Sequence, residues 1–138
     1  MPTGALKSFI ARETEHILDA CTSCGKCVET CPMSRYSPAP GGAPSSEIAA
    51  GVLSLLRGGA GTAEALGWVS VCVRSGCCVP ACPEKVDAKM MVRIARMVAS
   101  GGLGGPRLIE VREDREFYNR VRAFAALQLS EQEMREWM

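Results

Sequence analysis

Eight cysteines carry the chemistry of this 138-residue chain, and they fall into two groups. The first is Cys21-x2-Cys24-x2-Cys27-x3-Cys31-Pro32. The second is Cys72-x4-Cys77-Cys78-x3-Cys82-Pro83. Thiolates are soft metal ligands, and a cysteine at every third residue lets one loop curl three sulfurs round a common centre. The last cysteine of each group stands one residue further out. The proline after it lacks an N–H and keeps the segment from turning back. Thr22, Ser23, Gly25 and Lys26, between the first ligands, are small or flexible and let backbone N–H groups approach the sulfurs.

Laid on one another from their Cys-Pro ends, the two groups form an internal repeat. Cys82 matches Cys31, Cys78 matches Cys27, and Cys72 matches Cys21. Ser75 then stands where the first group has Cys24, and Cys77 is extra. The first group has the bacterial ferredoxin spacing, in which three cysteines hold one iron–sulfur cube and the fourth reaches another cluster. The candidate ligands are therefore Cys21, Cys24, Cys27, Cys31, Cys72, Cys77, Cys78 and Cys82. Structural zinc is the first rival, but zinc sites favour paired C-x2-C units, and the triple spacing with Cys-Pro endings speaks against it. Disulfides are a weak rival in a reducing compartment.

These loops need helices to hold them. Leu6, Phe9, Ile10, Ile17 and Leu18 fall at helical spacing and predict a helix over 5–20, with Thr3 as its cap. The run from Ser37 to Ser46 is rich in Pro and Gly and breaks the chain. Ser46 is placed to cap a helix with Ile48, Val52, Leu55 and Leu56 on its apolar stripe, ended by Gly58-Gly59-Ala60-Gly61. Thr62 is placed to cap a short helix ending near Gly67. Val86, Met90, Met91, Ile94, Met97 and Val98 predict a helix over 84–99. After the break Gly101-Gly102-Leu103-Gly104-Gly105-Pro106 comes a charge-rich helical segment, with Phe117, Val121 and Phe124 on one face. Ser130-Glu131-Gln132-Glu133 has the form of a capping box. No β-alternation is present. The expectation is an all-α fold with the cysteines in loops between helices, a domain over 1–105 and a helical extension over 106–138.

Composition narrows the function. Lys plus Arg is 16 and Asp plus Glu is 15, a net charge of +1, which speaks against a nucleic-acid binder. No apolar run is long enough to span a bilayer, and the opening residues lack a secretory pattern, so the expectation is a cytoplasmic chain without direct membrane insertion. No nucleophile triad, phosphate-binding loop or carboxylate pair stands in a credible motif. His16, the single histidine, reads as a surface or partly packed side chain. Met90, Met91 and Met97 read as core filling. Lys7, Arg12, Arg93, Arg96 and Arg107 read as a solvated face, with a basic docking face as the alternative. The last helix, with Phe124, Leu127, Leu129, Met134 and Trp137, either packs back on the core or docks elsewhere.

Forty residues separate Cys31 from Cys72, with helix between them, which is long for a small ferredoxin. Over about 15–100 the arrangement resembles the α-helical dicluster iron–sulfur family. That family includes the small iron–sulfur subunit of heterodisulfide reductase, its homologues in sulfur oxidation, and the C-terminal domain of succinate dehydrogenase and fumarate reductase iron–sulfur subunits. Trp68 before Cys72, and Cys82-Pro83-Glu84-Lys85-Val86-Asp87 leading into Met90-Met91-Val92-Arg93, look like the heterodisulfide reductase member in particular. The spacing Cys72-x5-Cys78-x3-Cys82-Pro83 is instead similar to the [3Fe-4S] motif of succinate dehydrogenase. The segment after about 106 matches nothing in the family, and the Cys-Cys-Gly repeats of the partner subunit are absent, Cys77-Cys78 being followed by Val79.

The resemblance implies crossed ligation. One cluster would use Cys21, Cys24, Cys27 and Cys82. The other would use Cys31, Cys72 and Cys78, with Cys77, an oxygen from Ser75, or nothing as its fourth ligand. Eight cysteines favour two [4Fe-4S] clusters, and one [4Fe-4S] with one [3Fe-4S] is the alternative. The resemblance further implies a non-catalytic electron-transfer subunit of an oxidoreductase complex, between a flavoprotein subunit and a Cys-Cys-Gly-type subunit. A free-standing dicluster ferredoxin is the rival, less suited to a near-neutral charge, since free carriers are strongly acidic. A metal-stapled structural or redox-sensing module is the third reading.

Overall fold

A computed structural model describes residues 3–37, 41–109 and 117–137. Every regular element among them is helical, as the sequence pattern predicts. Helix α1 is Gly4–Ala20, α2 is Lys26–Thr30, α3 is Ser45–Leu56, α4 is Ala63–Ser70, α5 is Cys78–Ala81, α6 is Ala88–Ala99, α7 is Phe117–Ala125 and α8 is Glu131–Trp137. A single 3₁₀ turn, Ser34–Tyr36, follows the first cysteine group.

The core sits where α3 packs on α4 and α6, with α1 laid across α6. Ile17, Val52, Leu55, Val69, Val86, Met91 and Ile94 are its largest fully buried side chains among the described residues. They come from the stripes that the periodicity picks out, except that Val69 lies past the predicted end of its helix. Gly67 weakens a helix by only about 1 kcal/mol, and burial of Trp68 and Val69 beyond it carries α4 on to Ser70. Gly51 on α3 lets α4 come close: a Cβ there would stand 2.7 Å from the Cβ of Ala65 and from Oγ1 of Thr62. Met91 is core, and Met90 and Met97 pack against it. His16 is exposed.

Caps decide where the helices begin. The Ala65 N–H donates to Oγ1 of Thr62 at 3.1 Å, the cap expected for α4. Helix α3 starts at Ser45, two residues ahead of the start that a Ser46 cap predicts: Pro44 is its cap residue, and the Pro44 carbonyl accepts from the N–H groups of Glu47 and Ile48. The predicted helix over 84–99 begins only at Ala88. Lys85 has φ of 57°, which a right-handed helix cannot contain, and the Asp87 carboxylate caps the new start by accepting from the Met90 N–H at 2.9 Å. The capping box of α8 is formed in both directions, between Ser130 and Glu133. Residues 38–40 of the Pro-rich break, 110–116 of the extension, and the side chains of Phe117 and Trp137 lie outside the described residues. Leu103 and Leu108 pack on the core, and the Leu108 N–H donates to the Ala99 carbonyl at 2.7 Å, tying the chain back to α6. Phe124 and Leu127 are exposed.

The short helices α2 and α5, one in each cysteine group, escaped the periodicity because four or five residues show no period. They pack on each other. They also match residue for residue. The Val28 N–H donates to the Gly25 carbonyl at 3.0 Å, and the Val79 N–H to the Gly76 carbonyl at 3.1 Å. Cys31 donates to Val28 at 3.2 Å, and Cys82 to Val79 at 3.4 Å. Ser23 and Arg74 share left-handed φ values of 57° and 62°, and Gly25 and Gly76 share φ of 78°. The repeat read from the cysteines is thus a repeat of backbone conformation.

The two glycines differ in their surroundings. A Cβ on Gly25 would stand 2.5 Å from the Ser45 backbone at the start of α3, whereas one on Gly76 would meet nothing within 4 Å. Gly76→Ala therefore incurs only the left-handed penalty, about 1–2 kcal/mol. Gly25→Ala adds a clash with backbone. Denaturant melts of the two variants are expected to place Gly25→Ala clearly below Gly76→Ala; equal losses would contradict the close approach of α3.

Candidate metal centre

Two cavities hold seven of the eight cysteines. The first, about 340 Å³ with its open mouth, is lined by Cys21, Cys24, Cys27 and Cys82, with Gly25, Glu84 and Met91 among its walls. The second, about 360 Å³, is lined by Cys31, Cys72 and Cys78, with Trp68, Ser75 and Lys89. In each, the last cysteine comes from the other group. The α2–α5 contact makes this possible, because it sets Cys31 and Cys82 at the ends of two adjoining helices, each reaching over to its neighbour's loop.

Electrostatics repeat the grouping. Burial pushes the Cys27 thiol up to about 12, and the charges of Cys21, Cys78 and Cys24 add to the rise. Burial also raises the Cys78 thiol, with Cys31, Cys72 and Asp87 adding to it. Both thiols resist ionisation in a dry, negative neighbourhood, and a metal is what makes their thiolates stable there. Cys78 acts on Cys27 across the two sets, so the cavities are neighbours.

Cys77 is not brought in. It is exposed and absent from the lining of the second cavity. The repeat gives the reason, since Cys77 stands where the first group has Lys26, a position that faces outward. Ser75, in the place of Cys24, does line the second cavity, and its Oγ accepts from the Cys77 N–H at 3.5 Å. The expectation that Cys77 completes the second set therefore gains nothing from the fold, and the second cavity offers three thiols and a hydroxyl.

Seven thiols in two adjoining cavities, the first group in ferredoxin spacing, suit iron–sulfur clusters. Four sulfurs on one zinc lie about 3.8 Å apart, as Zn–S bonds of about 2.3 Å require. Among the described residues, no three Cys, His, Asp or Glu side chains gather closely enough to hold a single metal ion. Trp68 supplies a second test. Its indole Nε1 is buried without a hydrogen-bond partner, which costs about 1–3 kcal/mol when nothing accepts the proton. Trp68 borders the second cavity on one side and a broad, open hollow of about 960 Å³ on the other. Solvent does not reach the nitrogen. A sulfur held by Cys31, Cys72 and Cys78 in the cavity that Trp68 lines would supply an acceptor.

The carboxylates and the histidine add no chemistry here. Glu84 is the one charged residue lining the first cavity, and Asp87 is engaged as the α6 cap. His16 lines neither cavity. Among the described residues no helix is long and apolar enough to cross a membrane. Sequence reasoning missed Trp68 as a donor, since only burial shows that its N–H lacks an acceptor.

Comparison with known proteins gives one match. Residues 14–34 match the 4Fe-4S binding domain family. No curated protein matches the chain, and no solved structure does. The matched stretch contains Cys21, Cys24, Cys27 and Cys31, two turns of α1 before them and the whole of α2. Helical architecture, thiol-lined cavities and this match together support an iron–sulfur protein that binds a 4Fe-4S cluster, with electron transfer as the associated chemistry.

Proposed function

We propose that this chain carries two iron–sulfur clusters and works as the electron-transfer subunit of a heterodisulfide-reductase-like complex, between a flavoprotein subunit and a Cys-Cys-Gly-type subunit. The observation that carries the reading is the pair of adjoining cavities whose thiols come crosswise from the two cysteine groups. Cys21, Cys24, Cys27 and Cys82 hold a [4Fe-4S] cluster. Cys31, Cys72 and Cys78 hold the second. Eight cysteines favour a [4Fe-4S] cluster there, but Cys77 is exposed and outside the cavity, which leaves the alternative, [3Fe-4S]. Such groups supply reversible one-electron transfer. The residues of this chain bind them, set their separation and control their surroundings. Thiolates occupy the ligand positions and leave no place for substrate, so bond-making chemistry belongs to a partner. The partner identities rest on the resemblance of Trp68 and the Cys82–Arg93 stretch to the small iron–sulfur subunit of heterodisulfide reductase.

Anaerobic purification with counts of iron and acid-labile sulfide tests the cluster content. About seven irons are expected from one four-iron and one three-iron cluster, with an EPR signal already present in the oxidised protein. Ser75→Cys places a thiol in the repeat position of Cys24. It is expected to raise the count to about eight irons and to remove the oxidised-state signal. Cys77→Ser is expected to leave both unchanged. A wild-type count near eight that falls in Cys77→Ser would make Cys77 a ligand after all. Zinc in place of iron would overturn the reading.

Trp68 gives an independent readout. A hydrogen bond to a cluster sulfur stabilises the reduced, more negative state. Trp68→Phe keeps the packing and removes the donor, so redox titration should move the second cluster's potential downward and leave the first in place. A shift in the first cluster alone would mean that the indole faces the other way.

A further inference from the structure

The internal repeat shows one face twice, covered in one copy and bare in the other. In the first cysteine group, the start of α3 lies on the loop. Val28 is buried at 4% exposure, and Gly25 has the Ser45 backbone against it. In the second group the equivalent Val79 is 37% exposed, and Gly76 has open space beside it. Val73, which borders the second cavity, is 61% exposed. The same backbone thus has its own cover at one cavity and none at the other.

Charge says what kind of cover fits. Arg74 and Lys89 line the second cavity, and both are exposed. Lys89, Arg93 and Arg96 recur at steps of four and three along α6, so they share one helical face, and Arg96 donates to the Cys72 carbonyl at 3.2 Å. Arg74 and Lys89 thus share the cavity wall with Val73, and Arg93 and Arg96 continue the Lys89 face of α6. None of the four is in an ion pair among the described residues. Asp87, the carboxylate that acts on Cys78, accepts from the Met90 N–H. Around the first group, by contrast, Lys26 and Lys85 alternate with Glu29 and Glu84.

We propose that this bare face of the second cysteine group, centred on Val73 and Val79 and ringed by Arg74, Lys89, Arg93 and Arg96, is the docking surface for an acidic protein that exchanges electrons through the second cluster. An apolar centre inside a charged rim has the anatomy of a protein interface, and a rim of one sign steers a partner of the other. The partner covers here what α3 covers in the first copy. The proposal rests on the electron-transfer reading above.

The test uses the cluster-loaded protein, reduced, and two electron acceptors that share a haem and differ in surface charge: native cytochrome c, which is basic, and succinylated cytochrome c, which is acidic. Stopped-flow oxidation at low salt is expected to run about tenfold faster with the succinylated form, and the advantage should fade as salt is added. Lys89→Glu/Arg93→Glu is expected to erase the preference. Lys7→Glu/Arg57→Glu, which changes the net charge equally on α1 and at the end of α3, is expected to keep it. Equal rates with the two cytochromes, or equal effects of the two double variants, would overturn the docking surface. Binding to anionic phospholipid vesicles without a preference between the cytochromes would assign the face to a membrane and likewise overturn it. Loaded protein that fails to take up an electron from a chemical reductant would sink the electron-transfer reading itself, and this proposal with it.

Discussion

The last cysteine of each group lines the other group's cavity, and the rest of the structure follows from that exchange. For Cys31 and Cys82 to cross, the helices that carry them must lie side by side, and α2 and α5 do. For those helices to meet, the loops before them must take the same path, and they share left-handed φ values at the second and fourth residues past Cys21 and Cys72. Non-glycine residues rarely adopt that conformation, and Ser23 and Arg74 both do. The longer helices then serve as a frame. Helix α3 closes over the first loop, and α6 brings Lys89 to the wall of the second cavity and Arg96 to the Cys72 carbonyl.

The same crossing concentrates charge that the fold alone cannot stabilise. Seven thiols sit in two neighbouring, partly buried cavities, and burial with mutual repulsion holds Cys27 and Cys78 in their neutral forms. Metal turns that penalty into binding energy, so loading and folding are linked. Among the described residues the core is aliphatic apart from Trp68, its one buried aromatic.

Much of this was legible in the sequence. Cysteine spacing with Cys-Pro endings carried the repeat, because spacing along a chain maps directly onto a loop, and the crossed grouping came from the family resemblance. Apolar periodicity found α1, α3 and α6; the α3 and α6 stripes are mostly buried, while on α1 Ile10 and Ile17 are buried and Leu6 and Phe9 are exposed. What escaped was whatever depends on a neighbour. The start of α6 moved because Lys85 turns left-handed. Cys77 looked like a ligand by count, and only the repeat of backbone conformation put it in the outward position of Lys26. Arg93 and Arg96 were visible as possible docking residues beside Lys7, Arg12 and Arg107, and the proposed face groups them instead with Lys89 and Arg74, since α6 passes beside the second cavity. The orphan N–H of Trp68 leaves no trace in a one-dimensional pattern.

The crossing itself is tested most directly by EPR of two single variants after anaerobic iron–sulfur loading. Cys82→Ala removes a thiol that the fold assigns to the first cavity, and Cys31→Ala removes one that it assigns to the second. Crossed ligation predicts that Cys82→Ala keeps the oxidised-state signal of the second cluster while losing the first, and that Cys31→Ala abolishes that signal. The reverse pattern, with each cysteine serving the cluster of its own group, would contradict the account.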